Sequence, residues 1–149
     1  RFMLRVSIGY PDEGEESNIL ERFRSADPLT ELQPVSSPEE VLVMMQARQQ
    51  VRVVEPVRDY IVKVARATRQ NGEIELGASP RATLALYQAS QAWAAIHGRD
   101  FVLPDDVKRM APVVLTHRLI ISPQAQLRGR RISDLVADIV EALPVPVES

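Results

Sequence analysis

The chain has 149 residues, eighteen Lys and Arg against twenty Asp and Glu, a net charge of -2 and no cysteine. That balance removes disulfides, thiolate metal sites and any general electrostatic pull toward nucleic acid or anionic lipid. The length suits one compact domain, and the longest apolar stretches fall short of the roughly 20 residues that span a bilayer, so a cytoplasmic helical domain is the first expectation.

Arg1 opens the chain inside an apolar segment with no signal pattern, which reads as a cut from something longer. From Phe2 to Tyr10, Phe2, Leu4, Val6 and Ile8 alternate with Met3, Arg5, Ser7 and Gly9, the period of a strand with one buried face. A lone strand cannot cover that face, so its neighbours are expected upstream. After Pro11, acids at Asp12, Glu13, Glu15 and Glu16 mark the first turn of a helix with Ile19, Leu20 and Phe23 on its apolar face, ending near Arg24. Residues 25–37 read as loop. Ser37-Pro38-Glu39-Glu40 caps a second helix, to about Gln50, whose apolar stripe is Val41, Leu42, Met44 and Met45.

Val51-Arg52-Val53 is short and β-branched, and a minor two-stranded element pairing it with residues near Val35 is expected. Glu55-Pro56 opens a third helix with Val57, Ile61, Val64 and Thr68 on one face, stopping before Gly72. The fourth is the clearest: Ala82, Leu86, Ala89, Trp93 and Ile96 recur at helical spacing from Pro80 to His97, and Gly98 supplies a left-handed stop. Pro104-Asp105-Asp106 opens a fifth helix carrying Val107, Met110, Val114 and Leu115, with a kink expected at Pro112 and Leu103 in a capping position it suits poorly. A polar loop rich in glycine and arginine follows. Ile132, Leu135, Val136, Ile139 and Leu143 form the last helix, stopped by Pro144 and Pro146.

His97 and His117 have no second ligand at helical spacing, so no metal site is expected, and the sequence holds no nucleophile elbow, dinucleotide loop or G-x-x-x-x-G-K-[ST] phosphate loop. The acid pairs all fall in first helical turns, where the helix dipole accounts for them. Arg128, Arg130 and Arg131 form the one basic cluster, read as a solvated turn, with an anion or nucleic-acid contact, joined by Arg118, as the competing reading. Ser79-Pro80-Arg81 stands apart. Ser79 suits a cap and Pro80 a first turn, so an ordinary helix start explains both. Arg81 has the wrong sign for a helix N-terminus, yet unpaired backbone N–H groups there favour phosphate and a guanidinium adds two parallel donors.

Gly77-Ala78-Ser79-Pro80-Arg81-Ala82, then Trp93-Ala94, then Gly98-Arg99-Asp100-Phe101-Val102-Leu103-Pro104-Asp105-Asp106-Val107 resemble the C-terminal lid of MoxR-type AAA+ ATPases. The resemblance continues through residues 111–119 and starts early, where residues 1–11 are similar to the last strand of the AAA+ core and its hinge at Tyr10-Pro11. It implies a mainly α fold: a helical lid over residues 12–149, with the strand at 1–11 left over from the α/β core. It implies that Arg81 is the sensor 2 arginine, reaching with Ser79 and Pro80 toward the γ-phosphate of ATP held with Mg2+ by the core. It also implies that Arg1 is a candidate arginine finger. A ring of subunits, chaperone-like work and von Willebrand factor A-domain partners follow from the resemblance alone. Lacking a phosphate loop, the chain by itself is expected neither to bind nor to hydrolyse ATP. The alternative is a helical protein-interaction module with no nucleotide contact.

Overall fold

The structure, a computed structural model, describes residues 2–24 and 27–146. Two compact units divide them: Val6–Met45, and residues 46–146 with 2–5.

In the larger unit, α3 (Glu55–Gln70) buries Val57, Tyr60, Ile61, Val64, Ala65 and Thr68, one stripe at three- and four-residue spacing. It packs against α4 (Pro80–Ile96), α5 (Pro104–Leu115) and α7 (Ile132–Ala142), the Tyr60 hydroxyl donating to the Val140 carbonyl at 3.3 Å. The α4–α5 contact is the most extensive. The buried residues of α4 include Ala82, Ala85, Ala89 and Ala94, small side chains that let neighbouring backbones approach. At the end of α4, Gly98 takes φ +69°, and the Arg99 N–H bonds back to the Ala94 carbonyl at 3.0 Å, a left-handed stop. Helix α5 continues through Pro112 as one element, and Thr116 closes it by donating its hydroxyl to the Pro112 carbonyl at 2.7 Å.

The strand pairings differ from expectation. A two-stranded antiparallel ribbon joins β1 (Ile74–Leu76) to β2 (Ile120–Ile121). Val51–Val53 instead lies beside the loop before α5, through a single parallel bridge between Arg52 and Phe101. Val51 is buried there, and its carbonyl accepts from the Gln91 amide at 2.8 Å, whereas Val35 is fully exposed and offers no apolar cover. The glycine- and arginine-rich loop contains a short helix, α6 (Pro123–Leu127), capped by the Ser122 hydroxyl.

Phe2 to Tyr10 forms no strand. No neighbouring strand flanks it among the described residues; Arg5 donates one backbone bond to Val113 at 2.9 Å, and Phe2 and Ile8 are exposed. Alternation shows that a segment can have one apolar face, but a ladder requires a second edge.

In the smaller unit, α1 (Glu13–Arg22) begins with a reciprocal box: Glu15 N–H donates to Asp12 at 2.8 Å and Asp12 N–H to Glu15 at 3.0 Å. A 3₁₀ turn, Pro28–Glu31, interrupts the expected loop. Helix α2 (Pro38–Gln49), whose residues 46–49 belong to the larger unit, repeats the device with Ser37 and Glu40. Neither α1 nor α2 has a buried residue.

Candidate functional site

The start of α4 is held from behind by the end of α3. Thr68 and Arg69, consecutive residues in the last turn of α3, grip the two polar backbone atoms of Ala78. The Thr68 hydroxyl accepts from the Ala78 N–H at 2.9 Å and donates to the Ala65 carbonyl at 2.7 Å. Arg69 Nε donates to the Ala78 carbonyl at 2.7 Å. Thr68 and Ala78 are both buried, so the two Thr68 bonds form where water competes poorly, while the Arg69 bond is half-buried. Gly77 makes the approach possible: a Cβ there would lie 2.7 Å from the Arg69 Cα.

Beyond this grip the chain turns into α4. Ser79 is the N-cap, its Oγ accepting from the Ala82 N–H at 3.3 Å, and Pro80 takes the first helical position, where its missing N–H costs nothing. Ser79, Pro80 and Arg81 are all exposed. Arg81 forms no salt bridge among the described residues. The expected trio is thus brought together at one exposed helix N-terminus, while Arg1 lies outside the described residues.

Other arginines have partners. Arg130 bridges Glu73 at 3.4 Å and also pairs with Asp138, and Arg131 pairs with Asp134 at 3.1 Å. These acids offset most of the charge a nucleic acid would need, which favours the solvated-turn reading of the cluster. Arg118 is turned toward the N-terminal segment, donating to the Phe2 carbonyl at 2.7 Å, and His117 Nε2 lies 3.1 Å from the same oxygen. The His97 ring lies tilted by 40° against Trp93, centroids 4.4 Å apart, and Arg109 covers the Trp93 ring at 5.8 Å from its centroid.

Asp106 has a structural duty beyond the helix dipole. It is buried, takes both terminal nitrogens of Arg99 at 2.6 Å and accepts from the Leu103 N–H at 2.7 Å, the reverse half of a capping box whose forward half leucine cannot make. Burial pushes its carboxyl up, but the Arg99 hydrogen bonds, the Leu103 amide and the charge of Arg99 together overcome this and hold it below the usual carboxylate range.

Sequence reasoning missed the grip on Ala78. Thr68 carried a faint signal as a polar residue on the apolar face of its helix, and Gly77 carried one as a glycine just before a cap. Arg69 carried none, because one more arginine on an amphipathic helix is indistinguishable from a solvated charge.

Comparisons with known proteins agree with this architecture. A family model described as the AAA lid domain matches residues 66–139, which contain the grip, the α4 start and the Arg99–Asp106 pair. The chain is 36% identical over 148 residues to the uncharacterized protein YeaC of Bacillus subtilis, covering 99% of this chain and 46% of that protein. It is 32% identical over 134 residues to the chaperone MoxR1 of Mycobacterium tuberculosis, covering 84% of this chain and 35% of the relative. It therefore spans less than half the length of either. A crystal structure of a proposed ATPase from Cytophaga hutchinsonii superimposes with a TM-score of 0.87 at 26% identity, over 99% of this chain and 47% of that one. Residues 66–139 are thus an AAA lid domain, in a chain akin to the MoxR-type AAA+ ATPases.

Proposed function

We propose that this lid couples ATP binding and hydrolysis on an AAA+ core to conformational change, with Arg81 as the residue that reads the γ-phosphate. The observation that carries the reading is an exposed arginine, without a salt-bridge partner among the described residues, at a helix N-terminus. That position fits a phosphate group chemically: the unpaired N–H groups and positive helix end attract an anion, and the guanidinium offers two parallel donors. ATP and Mg2+ would supply the phosphoryl group and its charge neutralisation. The lid contributes a cation whose attraction grows as charge develops on the phosphoryl oxygens, and which ties lid orientation to the presence of the γ-phosphate. Tyr10-Pro11 would be the hinge, and Arg1 an arginine finger directed at a neighbouring subunit. A cytoplasmic ring, a chaperone-like role and a von Willebrand factor A-domain partner belong to the same proposal, supported by kinship with MoxR proteins.

The test is Arg81→Ala in the full-length ATPase. Turnover should fall by a factor on the order of 10³, as for other phosphate-stabilising arginines. Unchanged turnover would favour the other reading, an interaction module with no nucleotide contact.

A further inference from the structure

We infer that Thr68 and Arg69 are positioning residues for Arg81, and that the last turn of α3 is the part through which nucleotide state at Arg81 reaches the rest of the lid. The inference rests on the phosphate-sensing reading of Arg81 and goes beyond it to the residues that make such sensing stiff.

An arginine at a helix start can register a phosphate only if the helix start itself is fixed. If the turn before α4 could shift by about an ångström, the guanidinium would follow the phosphate and transmit nothing, and a misplacement of that size costs on the order of 10²-fold where geometry sets the rate. Ala78 lies three residues before Arg81, and both of its backbone polar atoms are held by side chains of α3: the N–H by Thr68 at 2.9 Å and the carbonyl by Arg69 at 2.7 Å. Two bonds of opposite polarity on one residue fix rotation as well as distance. Steric closure adds to them, because Gly77 sits against the Arg69 backbone with no room for a methyl group. Thr68 is itself anchored to Ala65, so its hydroxyl hydrogen and one lone pair are both committed.

The rest of α3 is set rigidly in the core by Tyr60, Ile61 and Val64, each essentially inaccessible to solvent. A pull on Arg81 therefore passes through Ser79 and Ala78 to a buried helix. The Arg69 side chain also borders a surface groove with Pro80, Leu84 and Tyr87, so its outer end is reachable by solvent while its Nε is occupied. Arg69 thereby links the exposed face of α4 to the half-buried bond at Ala78.

In the full-length ATPase, Thr68→Val removes the hydroxyl with little change of shape, Thr68→Ser restores it, and Arg69→Met keeps the stem but loses the Nε donor. Thr68→Val and Arg69→Met should each lower turnover by roughly 10- to 100-fold and weaken ATP more than ADP, with Thr68→Ser close to wild type. Introduced into Arg81→Ala, neither should lower turnover further, since both act through the residue already removed. Melting curves identify a variant that fails to fold, and Arg69→Met, altering a side chain at the surface, is the variant most independent of folding. If Arg81→Ala lowers turnover while Thr68→Val and Arg69→Met preserve both rate and ATP/ADP discrimination, the positioning role is wrong and the sensor reading stands. Equal losses with and without Arg81 mean a general structural role and also overturn it. Wild-type turnover in Arg81→Ala removes the premise, and the inference with it.

Discussion

The Arg99–Asp106 pair is where a single charge matters most for stability. Asp106 is 4% exposed and its partner is fixed across the turn between α4 and α5, so removing one member leaves the other poorly solvated. Asp106→Leu should lower stability by about 3 kcal/mol, whereas the double replacement of Arg99 and Asp106 by leucine should cost less than the sum of the single changes. Denaturant titration of the four proteins measures the coupling, and strict additivity would contradict it. The pair also sets a pH dependence. Because the folded carboxyl titrates below its ordinary value of 3.8, the unfolded chain binds the proton more tightly, and stability rises with pH through that range. The contribution is complete above pH 3.8 and fades as acid protonates the folded Asp106, so Asp106→Asn should lose less stability than wild type on acidification below pH 3.8. At this scale the sequence was partly misleading. An acid in a first helical turn has a sufficient explanation in the helix dipole, and nothing local tells Asp105, exposed, from Asp106, buried against an arginine seven residues earlier.

Helix α4 shows how far periodicity reaches at the scale of an element. Its start at Pro80, its stop at Gly98 and the burial of Ala82, Leu86 and Ala89 follow from the residues, because caps, glycine and apolar spacing are local properties. Toward its end the pattern fails: Trp93 is half-buried under Arg109 and His97, and Ile96 is 78% exposed. Ala94 in the same turn is wholly buried, so the last turn is covered on one side only, and the stripe of a single helix carries no information about how far its cover extends. Leu86→Ala should therefore cost about 2–5 kcal/mol by opening a cavity in the core. Ile96→Ser should change stability by no more than about 0.5 kcal/mol. Thermal melting decides between the two sites, and a large loss at Ile96 would mean that its face is covered. The ribbon of β1 and β2 was illegible for a related reason. Strands of three and two residues fall below the length at which alternation can be told from chance, and only tertiary contact brings residues 74 and 121 together.

For the whole molecule, the sequence strings around Ser79-Pro80-Arg81 identified the lid and its sensor candidate, since the family pattern spans elements that no local rule connects. The grip of α3 on Ala78 escaped, being a long-range hydrogen-bond arrangement between residues with ordinary local meanings. Composition likewise gave no warning that one 149-residue chain would divide into units of unequal cohesion. Residues 46–146 hold every residue of the buried apolar core. In Val6–Met45, by contrast, Ile19, Leu20, Phe23, Val41, Leu42 and Met44 are all exposed, and the helices have well-formed caps but no buried face. Helices of 10 and 12 residues are marginal in water without tertiary packing, because nucleation is costly and capping returns only about 1 kcal/mol each. The 149-residue chain in isolation should then show fast amide hydrogen exchange from Val6 to Met45 and strong protection in α3, α4, α5 and α7. Limited proteolysis should cut first between those same bounds and leave residues 46–146 intact. If α1 and α2 pack their apolar side chains against the proposed AAA+ core, exchange there should slow by orders of magnitude when lid and core are joined, while α3 and α4 change little. Equal protection of both units in the isolated chain would show that capping and local contacts suffice to hold α1 and α2, contrary to the burial pattern.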